Sequence, residues 1–238
     1  MRSPTLITRY LTVEWSHSVS QIAPLKMAAV THFILPDLPQ AVAEGDRKAW
    51  RESTILTRRI RTMKQGVDKI LIVGGNEKDQ GLISTTKAIQ VATEVTDVPV
   101  WCVANPNDRE SFASLESKAH SGASGVVTQP LLCSHAIDVF NSYKEAGLHC
   151  VAGIAFPKSV EGLHFWLKLL GQPDLVKDEV FQSHIAHFDG GKSSLDWAKA
   201  QVAHLAGTDS LHFMPMRNSL DLKNLLSDRK LLKVAEKQ

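Results

Sequence analysis

Apolar runs of four to eight residues alternate along this chain with longer segments whose apolar positions recur at helical spacing. The runs are His32 to Leu35, Lys69 to Val73, Val98 to Ala104, Gly125 to Gln129, His149 to Phe156 and Ser210 to Met216, with Leu11 to Trp15 as a seventh. Each is nearly continuous rather than alternating, the pattern of parallel strands covered on both faces. Between them, amphipathic stretches predict helices over Arg47 to Gln65, Leu82 to Val95, Arg109 to His120, His135 to Ala146, Val160 to Leu170 and Ser193 to Leu205. Gly66, Gly122, Gly147 and Gly171 stand where helix C-caps are expected.

A βα repeat with no Pro/Ser/Gly linker predicts one domain over residues 1–238, with residues 1–30 an atypical N-terminal segment. The fold class expected is α/β, a TIM-type (β/α)8 barrel with one βα unit missing or distorted. An eight-stranded barrel usually takes about 250 residues, and Ser16 to Val30 is too short for another full unit. An open doubly wound sheet is the alternative.

Composition narrows the partners. The 238 residues are 43% hydrophobic and 22% charged with a formal net charge of +2, so no global field marks nucleic acid or a membrane surface as the partner. No apolar run approaches the roughly 18 residues of a membrane span. Arg2 and Arg9, with no acid before Glu14, faintly resemble a transit peptide but lack its long amphipathic stretch. Cys102, Cys133 and Cys150 form no CxxC pair and read as reduced core thiols. Together these features predict a soluble, cytoplasmic protein, and they leave its oligomeric state open.

If the strands close into a barrel, their C-terminal tips share one mouth, where such folds carry their chemistry. The tips are Glu14, Asp37, Gly74-Gly75-Asn76, Ala104-Asn105, Gln129, Ala155-Phe156 and Arg217-Asn218. Carboxylates, carboxamides and an arginine suit proton donation to, and hydrogen bonding of, a polar heterocycle. Each has a plainer alternative. Asn76 fits a turn after two glycines, Gln129 before Pro130 fits a strand cap, and Arg217 fits a surface charge. Phe188-Asp189-Gly190-Gly191 reads first as an ordinary turn, and His184 and His187 as decoration of a helix face. No His/Cys/Asp cluster has metal spacing, and neither GxGxxG nor a Walker loop occurs.

Taken in order, several of these segments resemble the methylenetetrahydrofolate reductase family. They are Val13-Glu14-Trp15, Gly66 to Asn76, Ser121 to Gln129, Gly147 to Pro157, His187-Phe188-Asp189-Gly190 and Leu211-His212-Phe213-Met214. The resemblance implies a β/α barrel that reduces 5,10-methylenetetrahydrofolate to 5-methyltetrahydrofolate with NAD(P)H, normally through bound FAD. It implies that Glu14 is the general acid that opens the methylene bridge, a role that apolar neighbours such as Val13 and Trp15 favour. Gln129 and Asn76 would hold the pterin, Phe188 would stack on substrate and nicotinamide, and Arg217, one position out of register, would meet the folate tail. Gly74, Gly75, Ala104, Asn105 and Lys118 would line the cofactor side.

The chain also departs from the family. Gly74-Gly75-Asn76 stands where the family has Arg-Gly-Asp, and Asn105-Pro106-Asn107-Asp108 replaces Tyr-Pro-x-x-His. On the next helix Ser111, Ser114, Ser117 and Lys118 match the family's Asp, Asn, Arg and Lys, so only the lysine is kept. Each lost charge-assisted hydrogen bond to a diphosphate is worth roughly 1.5–3 kcal/mol, and about 1.4 kcal/mol is tenfold in affinity. The expectation is therefore a reductase with weakened FAD binding, in which NAD(P)H serves the folate directly. A conventional FAD-dependent reductase, a non-catalytic folate-binding paralogue, and an enzyme acting on another pterin or one-carbon substrate are the alternatives. Nothing in the sequence separates NADH from NADPH.

Overall fold

The computed structural model describes residues 7–8, 10–14, 32–34, 68–73, 83–205, 208, 210–215, 219–228 and 233–234. Seven parallel strands form one sheet: β2 (Tyr10–Glu14), β3 (His32–Ile34), β4 (Ile70–Ile72), β5 (Val100–Ala104), β6 (Gly125–Pro130), β7 (His149–Ala155) and β8 (Ser210–Met214). All seven match apolar runs of the sequence. Two two-residue strands, β1 (Ile7–Thr8) and β9 (Lys233–Val234), pair antiparallel apart from it.

The hydrogen-bonded order β3-β2-β8-β7-β6-β5-β4 identifies the architecture. Chain order runs around the sheet, and the last large strand returns to the first, with Leu11 opposite Leu211. An open doubly wound sheet would reverse direction at a switch point instead. The fold is an α/β barrel wall of seven described strands. The directly paired neighbours β2 and β3 leave no strand between them, which accords with Ser16 to Val30 being too short for another unit.

Helices alternate with the strands: α1 (Thr85–Val95), α2 (Ser111–His120), α3 (Ala136–Glu145), α4 (Val160–Leu169), α5 (Glu179–Asp189), α6 (Ser194–His204) and α7 (Ser219–Ser227). Their starts are marked by side-chain caps. Ser84 accepts from the Lys87 amide, and Ser193 and Asp196 make a reciprocal capping box. Gly122, Gly147 and Gly171 turn the chain out of α2, α3 and α4 at positive φ, as their positions in the sequence predict. The predicted helix over Arg47 to Gln65 and its cap Gly66 lie outside the described residues. Helices α5 and α7 lie outside the helical stretches read from the sequence, although the spacing of His184 and His187 suggested a helix face at α5. Phe188 and Asp189 close the last turn of α5, so the turn read at Phe188 begins only at Gly190.

Strand residues enter two clusters, the larger of which also takes Ala155 and Met214 at the strand ends. Ile70, Val100, Cys102, Val126, Ala152, Ile154, Leu211 and Phe213 join the helices in the main core, while Trp101, Val127 and Val151 with Leu71 form an inner cluster. Trp101 lies across the start of β6, where a Cβ on Gly125 would come within 2.7 Å of its ring. His149 stacks on it at 4.9 Å and the Lys69 ammonium sits 5.1 Å from its centroid. These side chains close the barrel at the N-terminal ends of its strands.

Between β7 and β8 the chain makes three helices where a simple barrel needs one. A run of ring contacts knits them together, from His164 to Phe181 (5.9 Å), Phe181 to His184 (6.5 Å) and His184 to Trp197 (5.5 Å). His184 is therefore buried in the helix packing, not displayed on a surface as its spacing suggested. Among the described residues no helix is long and apolar enough to cross a membrane.

Candidate functional site

The register puts Glu14, Ala104, Gln129 and Ala155 at the C-terminal end of their strands. Glu14 ends β2 opposite Ile34, Ala104 ends β5 opposite Thr128, and Ala155 ends β7 opposite Met214. Glu14 and Gln129 are three strands apart along the wall, about 14 Å at ordinary strand spacing. Gly74, Gly75, Asn76 and Arg217 lie outside the described residues.

Gln129 owes its setting to an irregularity. Between the pairs Val127–Val151 and Pro130–Gly153, β6 advances three residues while β7 advances two, so β6 carries a bulge at Thr128-Gln129. The buried Thr128 hydroxyl accepts the Gly153 amide at 3.0 Å and takes the place of a backbone acceptor. A Cβ on Gly153 would lie 2.3 Å from the Thr128 carbonyl oxygen and 2.9 Å from the Gln129 carbonyl carbon, so only glycine fits against the bulge. From residue 125 to residue 133 every side chain is buried except that of Gln129. Gln129 itself is half-buried at the end of a buried strand.

The other amides at the strand ends hold the loops together. Asn107, 1% exposed, donates from Nδ2 to the Pro130 carbonyl (2.7 Å) and to Asn105 Oδ1 (2.9 Å), and its Oδ1 accepts the Leu132 amide (2.7 Å). Asn105 Oδ1 also accepts the Asn107 amide at 3.2 Å, and Asn105 Nδ2 donates to the Leu170 carbonyl at the end of α4 (3.3 Å). Nearby, the Asp178 carboxylate accepts from the Ser134 amide (3.1 Å) and hydroxyl (2.7 Å) while capping α5 through the Val180 and Phe181 amides. Burial works to raise the pKa of Asp178, but these hydrogen bonds outweigh it and hold the carboxyl below its usual range. The α4–α5 excursion is thus stitched to the tips of β5 and β6.

Cys133 and His135 resemble a nucleophile–base pair, with Sγ 3.4 Å from Nε2. His135 Nε2 lies 2.9 Å from the Asn107 carbonyl oxygen, which can only accept, so this nitrogen carries the proton and Nδ1, 3.5 Å from the sulfur, is left as the acceptor. Burial pushes the Cys133 thiol up to about 11, and the Asp178 charge adds to the effect. Cys102 and Cys150 are likewise pushed up by burial, to about 11 and about 12. None is a thiolate at neutral pH.

Of the cofactor-side residues, Ala104, Asn105 and Lys118 are described. The Lys118 ammonium donates to the Val103 carbonyl at 2.9 Å, and burial lowers its pKa. Ser111 is buried against the Tyr143 hydroxyl, whereas Ser114 and Ser117 are exposed. Ala104 is buried and Asn105 is engaged as above. Phe188 is half-buried, packed on the main core with His187 edge-on at 5.3 Å.

Two features were not expected from the sequence. His212, 4% exposed, lies on β8 in register with Thr12 and Gly153, and burial lowers its pKa to about 4, leaving a neutral imidazole. A groove of about 570 Å³ runs between α2 and α3, lined by Phe112, Leu115, His120 and Leu148 among others. Leu148 immediately precedes β7, so that groove reaches the opposite end of the barrel from Gln129. Among the described residues no group of three or more His, Cys, Asp or Glu could hold a metal.

No known family profile and no curated protein matches the chain. Among solved structures, a dihydrodipicolinate synthase is similar at 14% identity and a TM-score of 0.38, over 74% of this chain and 70% of that one. Another, from Agrobacterium tumefaciens, is 15% identical with a TM-score of 0.33, over 94% and 77%. The tryptophan synthase alpha subunit of Legionella pneumophila is 12% identical with a TM-score of 0.29, over 94% and 92%. At such scores the likenesses carry no argument. The barrel assignment rests on the cyclic strand order, and the chemistry on the groups at the strand tips.

Proposed function

We propose that this chain is a methylenetetrahydrofolate reductase-like oxidoreductase that uses NAD(P)H without tightly bound FAD. The observation that carries the reading is Gln129, the one half-exposed side chain in an otherwise buried run at a strand's C-terminal end. A carboxamide offers a donor and an acceptor to the amide edge of a pterin at one point. Glu14, on a strand tip of the same end, is the general acid: it delivers a proton to N10 as the C–N10 bond of the methylene bridge breaks. Hydride from NAD(P)H then reduces the methylene carbon to a methyl group on N5, yielding 5-methyltetrahydrofolate and NAD(P)+. Juxtaposing two bound reactants is worth about 7–11 kcal/mol of barrier, enough to matter without a resident redox group. The engagement of Lys118 and the settings of Ser111, Ser114 and Ser117 support the flavin-free form.

The test is oxidation of NADH or NADPH dependent on methylenetetrahydrofolate, with protein whose visible spectrum lacks flavin. Turnover that Glu14→Gln abolishes while folate binding survives supports the assignment. Turnover only after FAD is added returns the chain to the conventional flavoenzymes. Folate binding without turnover under either condition identifies a binding protein.

A further inference from the structure

We propose that Thr128 is the positioning residue for Gln129, and that the Thr128–Gly153 hydrogen bond sets the amide's alignment for its ligand. The inference rests on the reading of Gln129 as a pterin contact. Three observations converge. The Thr128 side chain is 1% exposed, so its hydroxyl is a buried acceptor and not a solvated one. That hydroxyl takes the Gly153 amide at 3.0 Å, just where the β6–β7 ladder gains its extra residue. Gly153 lacks the Cβ that would otherwise strike the bulged backbone at 2.3 Å.

The mechanism follows from strand geometry. A bulge leaves one residue without its ladder partner, and a neighbouring buried N–H must then find another acceptor. Thr128 supplies that acceptor. Without it the Gly153 amide would be satisfied only if β6 slid back to a regular pairing. Since side chains alternate along a strand, a one-residue slip carries each to the opposite face. The amide of Gln129 would leave its present setting, although Gln129 itself were unchanged.

The test measures affinity for 5-methyltetrahydrofolate by calorimetry in the full-length protein. Gln129→Ala comes first and should weaken binding about tenfold, the size of one hydrogen bond. If it has no effect, the pterin reading of Gln129 fails, independently of the role of Thr128. Given that loss, Thr128→Val should weaken binding to a similar degree, and Thr128→Ser, which keeps the acceptor, should stay within about twofold. Thr128→Ala serves in place of Thr128→Val if the latter does not fold. The decisive comparison is the double variant: with Gln129→Ala present, removing the hydroxyl should cost no further affinity. Additive losses, or wild-type binding by a folded Thr128→Val or Thr128→Ala protein, would overturn the proposal.

Discussion

Replacing Asn107 by alanine should unfold this protein at a markedly lower temperature, although the residue sits in a loop. Its side chain is 1% exposed and makes three hydrogen bonds, two as donor and one as acceptor. Alanine strands the Leu132 N–H, and leaving a buried donor unpaired costs about 1–3 kcal/mol. The Pro130 carbonyl and Asn105 Oδ1 each lose one of their donors, worth about 0.5–1.5 kcal/mol apiece. The expected total is about 3 kcal/mol, or roughly 6–12 °C in Tm for a chain of this length. Asn107→Asp should be worse at neutral pH, because an oxygen replaces the amide nitrogen 2.7 Å from the Pro130 oxygen and brings a buried charge. Acidification should partly restore it as the carboxyl regains a proton that it can donate. Urea unfolding and calorimetry of both variants measure these effects. An alanine variant within about 1 kcal/mol of the parent, or an aspartate variant more stable than alanine at pH 7, would refute the account.

Two further outcomes follow from buried titratable groups. Burial lowers the pKa of both His184 and His212 to about 4, so the folded chain keeps them neutral where the unfolded chain protonates them. With unfolded values near 6.5, stability should be full above pH ~6.5 and fall toward pH ~4, by about 2 kcal/mol per histidine at pH 5. Denaturant midpoints that stay flat between pH 7 and pH 5 would contradict this. The three cysteines, Cys102, Cys133 and Cys150, are all buried with raised pKa values. A disulfide-exchange reagent at pH 7.5 should label none rapidly in the native protein and three per chain in denaturant. Fast labelling of one native thiol would show that the structure around it opens.

The strands were legible in the sequence because a parallel strand covered on both sides has no polar alternation to blur it. The helix α5 was not, and the reason is His184: a core position of the helix is filled by an imidazole, interrupting the apolar stripe of Phe181, Ile185 and Phe188. At the strand tips, sequence could place an amide at position 129 but not the bulge that presents it. That bulge depends on a hydroxyl meeting an N–H 25 positions away. Asn105, read as a group at a strand tip, also joins loops through Asn107 and Leu170, because a carboxamide's partners lie across the fold, not along the chain. Lys118 matched a phosphate-binding position by order alone, while its ammonium meets the Val103 carbonyl.

The return of β8 to β2 has a consequence for how the chain is made. Tyr10 pairs with Ser210, so these partners lie 200 positions apart. At about 5–20 residues per second, synthesis separates them by roughly 10–40 s. Strand β2 must wait with one edge open until β8 has been made. A nascent chain stopped before Ser210 should carry β5 to β7 already paired while β2 still lacks its β8 partner.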